Sequence, residues 1–125
     1  MLDRIKTLCL RFEPVGSRVT CVPAPTDTDA DYLLLVEDHS SFRIAIGEFY
    51  FTMDGSEVVD SLTPLDSADR FSSYSLGYIN LIVTSDVVFF DKFMAATSVA
   101  KWLNLLDKQD RIVLFQAVLY GNPCV

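Results

Sequence analysis

Residues 16–37 read GSRVTCVPAPTDTDADYLLLVE, and the run Leu33-Leu34-Leu35-Val36 near the end of this stretch decides the fold. Four consecutive aliphatic residues suit a central strand that is buried on both faces. The spacing predicts that strand over Asp31 to Glu37. Upstream, the two prolines Pro23 and Pro25 and their turn-forming neighbours predict a loop, and Gly16-Ser17-Arg18 a tight turn. Asp27, Asp29 and Asp31 crowd the entrance of the strand, although a buried carboxylate is costly to desolvate. That cost calls for a reason.

Outward from this strand, Leu2, Ile5, Cys9 and Phe12 recur every three to four residues, the pattern of a short amphipathic helix ended by Pro14. Ser40 or Ser41 is placed to cap a helix carrying Phe42, Ala45, Ile46 and Phe49 and closed by Gly55, with a strand over Tyr50-Phe51-Thr52 as the competing reading. Residues 54–70 are rich in Asp, Ser, Thr and Pro and read as a connecting loop. Phe71 to Tyr74 and Tyr78 to Thr84 form a strand pair around Leu76-Gly77. Ser85 or Asp86 opens a helix with Phe89, Phe93, Ala96, Ala100 and Leu103 on its buried face. Asp107 opens the last helix, with Asp110 three residues on, Ile112, Phe115 and Leu119 buried, and Gly121 and Pro123 as terminators. The order α, β, loop, β, α, β, β, α, α describes an α+β domain: helices packed on a small mixed sheet, with a C-terminal helical pair.

At 125 residues, half of them hydrophobic and 12% aromatic, residues 1–125 suit one domain that buries enough apolar area to fold. A formal charge of −7 opposes general nucleic-acid binding, which needs clustered Lys and Arg, and favours metal cations or a basic protein partner. Cys9, Cys21 and Cys124 are odd in number and lack C-x-x-C spacing, so neither a disulfide framework nor a zinc site is indicated. The first twelve residues have no continuous signal-peptide core and no apolar run is long enough to span a membrane; the expectation is a soluble cytoplasmic protein.

Side chains alternate along an extended segment, so Asp27, Asp29 and Asp31 can line one surface. Packed that closely they repel unless a cation bridges them, and hard carboxylate oxygens select Mg²⁺ or Mn²⁺. A metal held by two carboxylates is half of a phosphoryl-transfer site. The Gly16-Ser17 turn can supply the other half: glycine allows close backbone approach, and the serine hydroxyl with the amides of a turn entering a helix cups phosphate oxygens. Arg18 could add a bidentate phosphate contact or pair with a nearby carboxylate. Asp27 reads as a loop aspartate beside an Asx turn.

Val15-Gly16-Ser17, eleven intervening residues, and Asp29-Ala30-Asp31 entering Tyr32-Leu33 resemble the signature of the nucleotidyltransferase superfamily of the DNA polymerase β type. The segments INLIVTSD and KWLNLLDKQDRIVLFQAVLYG look similar to small nucleotidyltransferase-like proteins of bacteriophage genomes. The resemblance implies a minimal nucleotidyltransferase fold. It also implies that Asp29 and Asp31 coordinate two Mg²⁺ ions and that Gly16-Ser17 holds the β and γ phosphates of a nucleoside triphosphate. The implied reaction moves a nucleoside monophosphate to a hydroxyl on protein, small molecule or RNA. A chain without the extra domain of larger relatives would complete its cleft with a partner or by self-association, in the host cytoplasm if phage-encoded.

The sequence departs from that family at one catalytic position. By the pattern Ile79-x-Leu81-Ile82-Val83, the third carboxylate corresponds to Asn80, whose amide brings no charge and no useful base. Asp86 has the same strand parity but is ~20 Å farther along an extended chain; Asp66 and Asp69 sit in the long loop. Lys101, Lys108 and Arg111, near the junction of the last two helices, are candidates to meet a triphosphate tail or acceptor, although Lys101 and Lys108 read rather as solvated helix-surface charges. Tyr74 and Tyr78 flank the Asn80 strand, where each could touch a nucleotide or pack. His39 reads as a surface residue, and Trp102 as core. Two readings follow: a Mg²⁺-dependent nucleotidyltransferase that tolerates Asn80, or a catalytically weakened relative that binds nucleotide or a host protein.

Overall fold

Helix α1 (Leu2–Thr7) is shorter than the spacing of Leu2, Ile5, Cys9 and Phe12 predicts. Leu8 and Cys9 close it by bonding back to the Ile5 and Lys6 carbonyls, and the Leu10 amide then reaches the Leu35 carbonyl at 2.8 Å. The chain is thereby drawn into strand β1 (Arg11–Val15), which carries Phe12. Leu2, Cys9 and Phe12 still pack against one core, so a helix followed by a strand satisfies the same apolar spacing. Pro14 lies inside β1, which is tolerated because β1 is an edge strand and an interior ladder position would need its missing donor.

The computed structural model describes residues 2–24, 30–53, 71–76 and 78–120. After the single-turn helix α2 (Ser17–Thr20) come strand β2 (Ala30–Leu35) and helix α3 (His39–Met53). Strands β3 (Ser72–Leu76) and β4 (Ile79–Thr84) follow, then helices α4 (Val87–Leu103) and α5 (Lys108–Tyr120). Helix α3 settles residues 50–52 as helical, and its cap is Asp38 rather than Ser40 or Ser41: the Asp38 carboxylate accepts from the Ser41 amide and hydroxyl. Gly55, the 54–70 loop with Asp66 and Asp69, and Gly121 and Pro123 lie outside the described residues.

The sheet order is β1-β2-β4-β3, with β2 and β4 parallel at the centre and both edge strands antiparallel to their neighbours. Leu33, Leu34, Leu35 and Val36 are each at most 6% exposed, as a strand covered on both faces requires. Alternation splits them between two cores. Leu34 and Val36 join Ile5, Phe42, Ile46, Tyr74 and Leu81 beneath α1 and α3. Leu33 and Leu35 join Val15, Phe89, Phe90 and Leu119 beneath α4 and α5. The molecule is thus an α+β structure with helices on both faces of a four-stranded mixed sheet, ending in a helical pair.

Two apolar assignments of α4 are corrected. Trp102 is 83% exposed and Leu103 49%. Trp102 follows the buried Ala100 by two positions, about 200° around the helix, and so faces away from the sheet. Leu103 is in the last turn, which overhangs: 17 residues of helix span about 25 Å, against about 20 Å for the six residues of β4. Asn104 then ends α4 in the left-handed conformation at φ 50°. No helix of the described residues is long and apolar enough to cross a membrane.

Candidate functional site

Strand register builds the site. Val15, the last residue of β1, pairs with Asp31, so the turn that follows Val15 folds directly over the Asp31 carboxylate. Gly16 has φ +81° and ψ −172°, a combination reserved almost entirely for glycine. A Cβ at Gly16 would overlap Asp31 Oδ2 and come within 2.9 Å of its Cβ and Cγ. Both conformation and space therefore require glycine here. Beyond it, the Val19 and Thr20 amides bond to the Gly16 carbonyl and the Cys21 amide to that of Ser17. The amides of Ser17 and Arg18 precede the first helical bond and cannot be satisfied by α2 itself.

On the other side Asp31 pairs in register with Asn80 of β4, and Asn80 Nδ2 donates to Asp31 Oδ1 at 3.0 Å. Asp31 and Asn80 share parity with Leu33 and Ile82, so both project to the α4/α5 side of the sheet. They stand at its entrance end, where the apolar covering gives way to a cavity of about 410 Å³. That volume is within the range of small-molecule sites. Gly16, Ser17, Asp31 and Asn80 line one side, and Lys108, Arg111, Ile112 and Phe115 of α5 line the other.

Hydrogen bonds fix α5 across the gap. Arg111 Nη1 donates to the carbonyls of Leu105 and Leu106 at 2.8 and 2.9 Å and to Cys21 Sγ at 3.3 Å. The Val22 amide donates to Asn104 Oδ1 at 3.0 Å. The end of α2 and the α4–α5 connection are thereby joined, which sets the distance between the glycine turn and α5.

The sequence-derived residues are distributed as follows. Gly16, Ser17, Asp31 and Asn80 come together. Asp29, like Asp27, lies outside the described residues. Arg18 is exposed on α2 and is not among the residues lining the cavity. Lys108, read as a solvated charge, lines the cavity, whereas Lys101 does not. Ile112 and Phe115, read as core, face it as well; the signal for all four α5 residues was their spacing of three, one and three positions, which puts them on one helix face. Tyr74 is buried in the α1/α3 core, on the opposite face of the sheet, and Tyr78 is 83% exposed. Asp86 caps α4 by accepting from the Val88 and Phe89 amides, at the far end of β4 from Asn80. His39 is half-buried at the start of α3.

Asp31 supplies a hard anionic oxygen of the kind Mg²⁺ or Mn²⁺ prefers. Among the described residues no group of three His, Cys, Asp or Glu side chains gathers, and Asp31 is the one carboxylate lining the described cavity. The lining otherwise offers two cations, Lys108 and Arg111, in a chain whose net charge is −7. Compared with known protein families, curated proteins and solved structures, the chain matches none.

Proposed function

We propose that the protein is a nucleotidyltransferase of the DNA polymerase β type, which moves a nucleoside monophosphate from a nucleoside triphosphate to an acceptor hydroxyl and releases pyrophosphate. The observation that carries this reading is the contact of the Gly16 backbone with the Asp31 carboxylate at the mouth of a cavity that also holds Lys108 and Arg111. A glycine that must have no side chain brings amide donors up to a carboxylate, which suits a polyphosphate lying beside a carboxylate-held cation. Asp29 and Asp31 would hold Mg²⁺ or Mn²⁺, which when bound supplies charge neutralisation at the leaving pyrophosphate and activation of the acceptor hydroxyl. The Ser17 hydroxyl and amide would orient phosphate oxygens. Asn80 fixes the Asp31 carboxylate through its amide nitrogen.

That same amide favours a second reading. Asn80 stands where the family resemblance calls for a third carboxylate, and an amide accepts no proton from an attacking hydroxyl. A domain that binds nucleotide, or a host protein, without transfer is the alternative. Calorimetric titration with each nucleoside triphosphate and Mg²⁺ tests binding, and pyrophosphate release in a host lysate tests transfer. Release by the native protein that disappears in Asp31→Ala supports the enzyme. A silent native protein that becomes active as Asn80→Asp supports the second reading. Failure of every nucleotide to bind refutes the enzyme and the nucleotide-binding form of the second reading.

A further inference from the structure

We infer that α5 orders the ligand end to end, with Lys108 and Arg111 meeting its phosphates and Phe115 with Ile112 gripping a flat ring. Phe115 thereby becomes the residue that selects a nucleotide over a bare polyphosphate. The inference rests on the nucleotide reading of the cavity and assigns a substrate-selecting contact within it.

One helix face presents Lys108, Arg111, Ile112 and Phe115 to the cavity, with cations in its first turn and apolar groups in the next. Seven residues at 1.5 Å each put the two ends about 10 Å apart. An inorganic anion meets only the first end; a molecule that fills both must carry charge at one end and an apolar group at the other.

Both ends are rigid. The Nη1 atom of Arg111 is anchored on Leu105, Leu106 and Cys21, and its Nη2 has no partner among the described residues, so one edge of the fork remains for a phosphate oxygen. Phe115 ends a series of rings. Phe71 stacks on Phe89 at 5.3 Å, Phe89 meets Phe93 at 6.0 Å, and Phe93 meets Phe115 edge to face at 4.9 Å. With Phe89 only 1% exposed, this series is set in the α4/α5 core and holds the Phe115 ring in one orientation. Phe115 is half-buried and Ile112 is 38% exposed, so core packing leaves part of each at the cavity. A ring already fixed in place loses little freedom when a base stacks on it.

The test uses the whole protein with Mg²⁺ and two probes, ATP and inorganic tripolyphosphate, titrated into the native chain and into Phe115→Leu, Ile112→Ser and Lys108→Gln. Phe115→Leu keeps an apolar side chain and removes the ring. If its circular dichroism departs from native, Ile112→Ser at the partly exposed position carries the same comparison. The expected result is ATP bound ~10-fold or more tightly than tripolyphosphate by the native protein. Phe115→Leu or Ile112→Ser should reduce that margin with tripolyphosphate affinity unchanged, and Lys108→Gln should weaken both probes by the same factor. Equal native affinities, or ring-side variants that weaken both probes alike, overturn the α5 assignment and leave the phosphate reading intact. If neither probe binds, the nucleotide reading fails and this inference with it.

Discussion

Gly16→Ala is the sharpest perturbation available, because two separable costs converge on one methyl group. The first is conformational: φ +81° with ψ −172° costs a non-glycine residue about 1–3 kcal/mol. The second is steric. The new Cβ overlaps Asp31 Oδ2 and lies 2.9 Å from Asp31 Cγ, so the carboxylate must move. Its movement breaks the 3.0 Å bond from Asn80, and a hydrogen bond to a charged group contributes about 1.5–3 kcal/mol. Together the change costs about 2.5–6 kcal/mol, a large share of the roughly 5–15 kcal/mol that stabilises a typical domain. At about 4 °C per kcal/mol for a chain of this length, the melting temperature falls by roughly 10–25 °C. The assay is urea denaturation of the native chain, Gly16→Ala, Asp31→Ala and the double variant. Asp31→Ala removes the carboxylate that the methyl group strikes and keeps only its Cβ, 2.9 Å away, so in that background Gly16→Ala should cost the conformational part and that one contact, without the lost hydrogen bond. A loss below about 0.5 kcal/mol in the native background, or the same loss in both backgrounds within the ~0.5 kcal/mol of simple additivity, refutes the reasoning.

Three further outcomes follow from the geometry. Asp86→Ala removes a carboxylate that accepts from two first-turn amides of α4, and should cost about 1 kcal/mol by denaturation, with Asp86→Asn nearly neutral. Burial pushes the Cys9 thiol up to about 12, so its thiolate fraction at pH 8 is about a thousandfold below that of a free cysteine; alkylation followed by peptide mapping should find Cys9 correspondingly slow in the native state and fast in urea. The Ser41 hydroxyl and then its amide hold the Asp38 carboxyl below its ordinary 3.8. Its stabilising contribution is therefore complete above 3.8 and lost as pH falls through the lower native value; a carboxyl-carbon NMR titration should show the Asp38 midpoint rise in Ser41→Ala.

What the sequence made legible is what depends on neighbours in the chain. The double-faced strand was visible in Leu33 to Val36 because central burial needs no partner to be recognised. Val15-Gly16-Ser17 was visible because a turn after a strand has local chemistry. Asn80 could be placed by the apolar pattern around it, and the register sets it directly across from Asp31. The first helix was overextended because Cys9 and Phe12 reach the same core by another route, through β1. Trp102 was misread because aromatic residues are usually buried, whereas its angular position on α4 is fixed by which residues contact the sheet. Lys108 was hidden for a different reason: a lysine on a helix is ordinarily a surface charge, and only the fold of α5 over the glycine turn turns it toward a cavity.

The hydrogen bond between Asp31 and Asn80 joins positions 49 apart, and the one from Arg111 to Cys21 joins positions 90 apart. During synthesis at about 5–20 residues per second, the ribosome adds the 49 residues in roughly 2–10 s, so the turn and its aspartate emerge well before their counterpart exists. A nascent chain released before β4 would leave β2 without its central neighbour, and would expose Leu33 and Leu35, whose cover from α4 and α5 is made last. Quality control would meet it as an adhesive fragment, and shielding of that strand until the chain is finished is the demand this topology places on the cell that makes it.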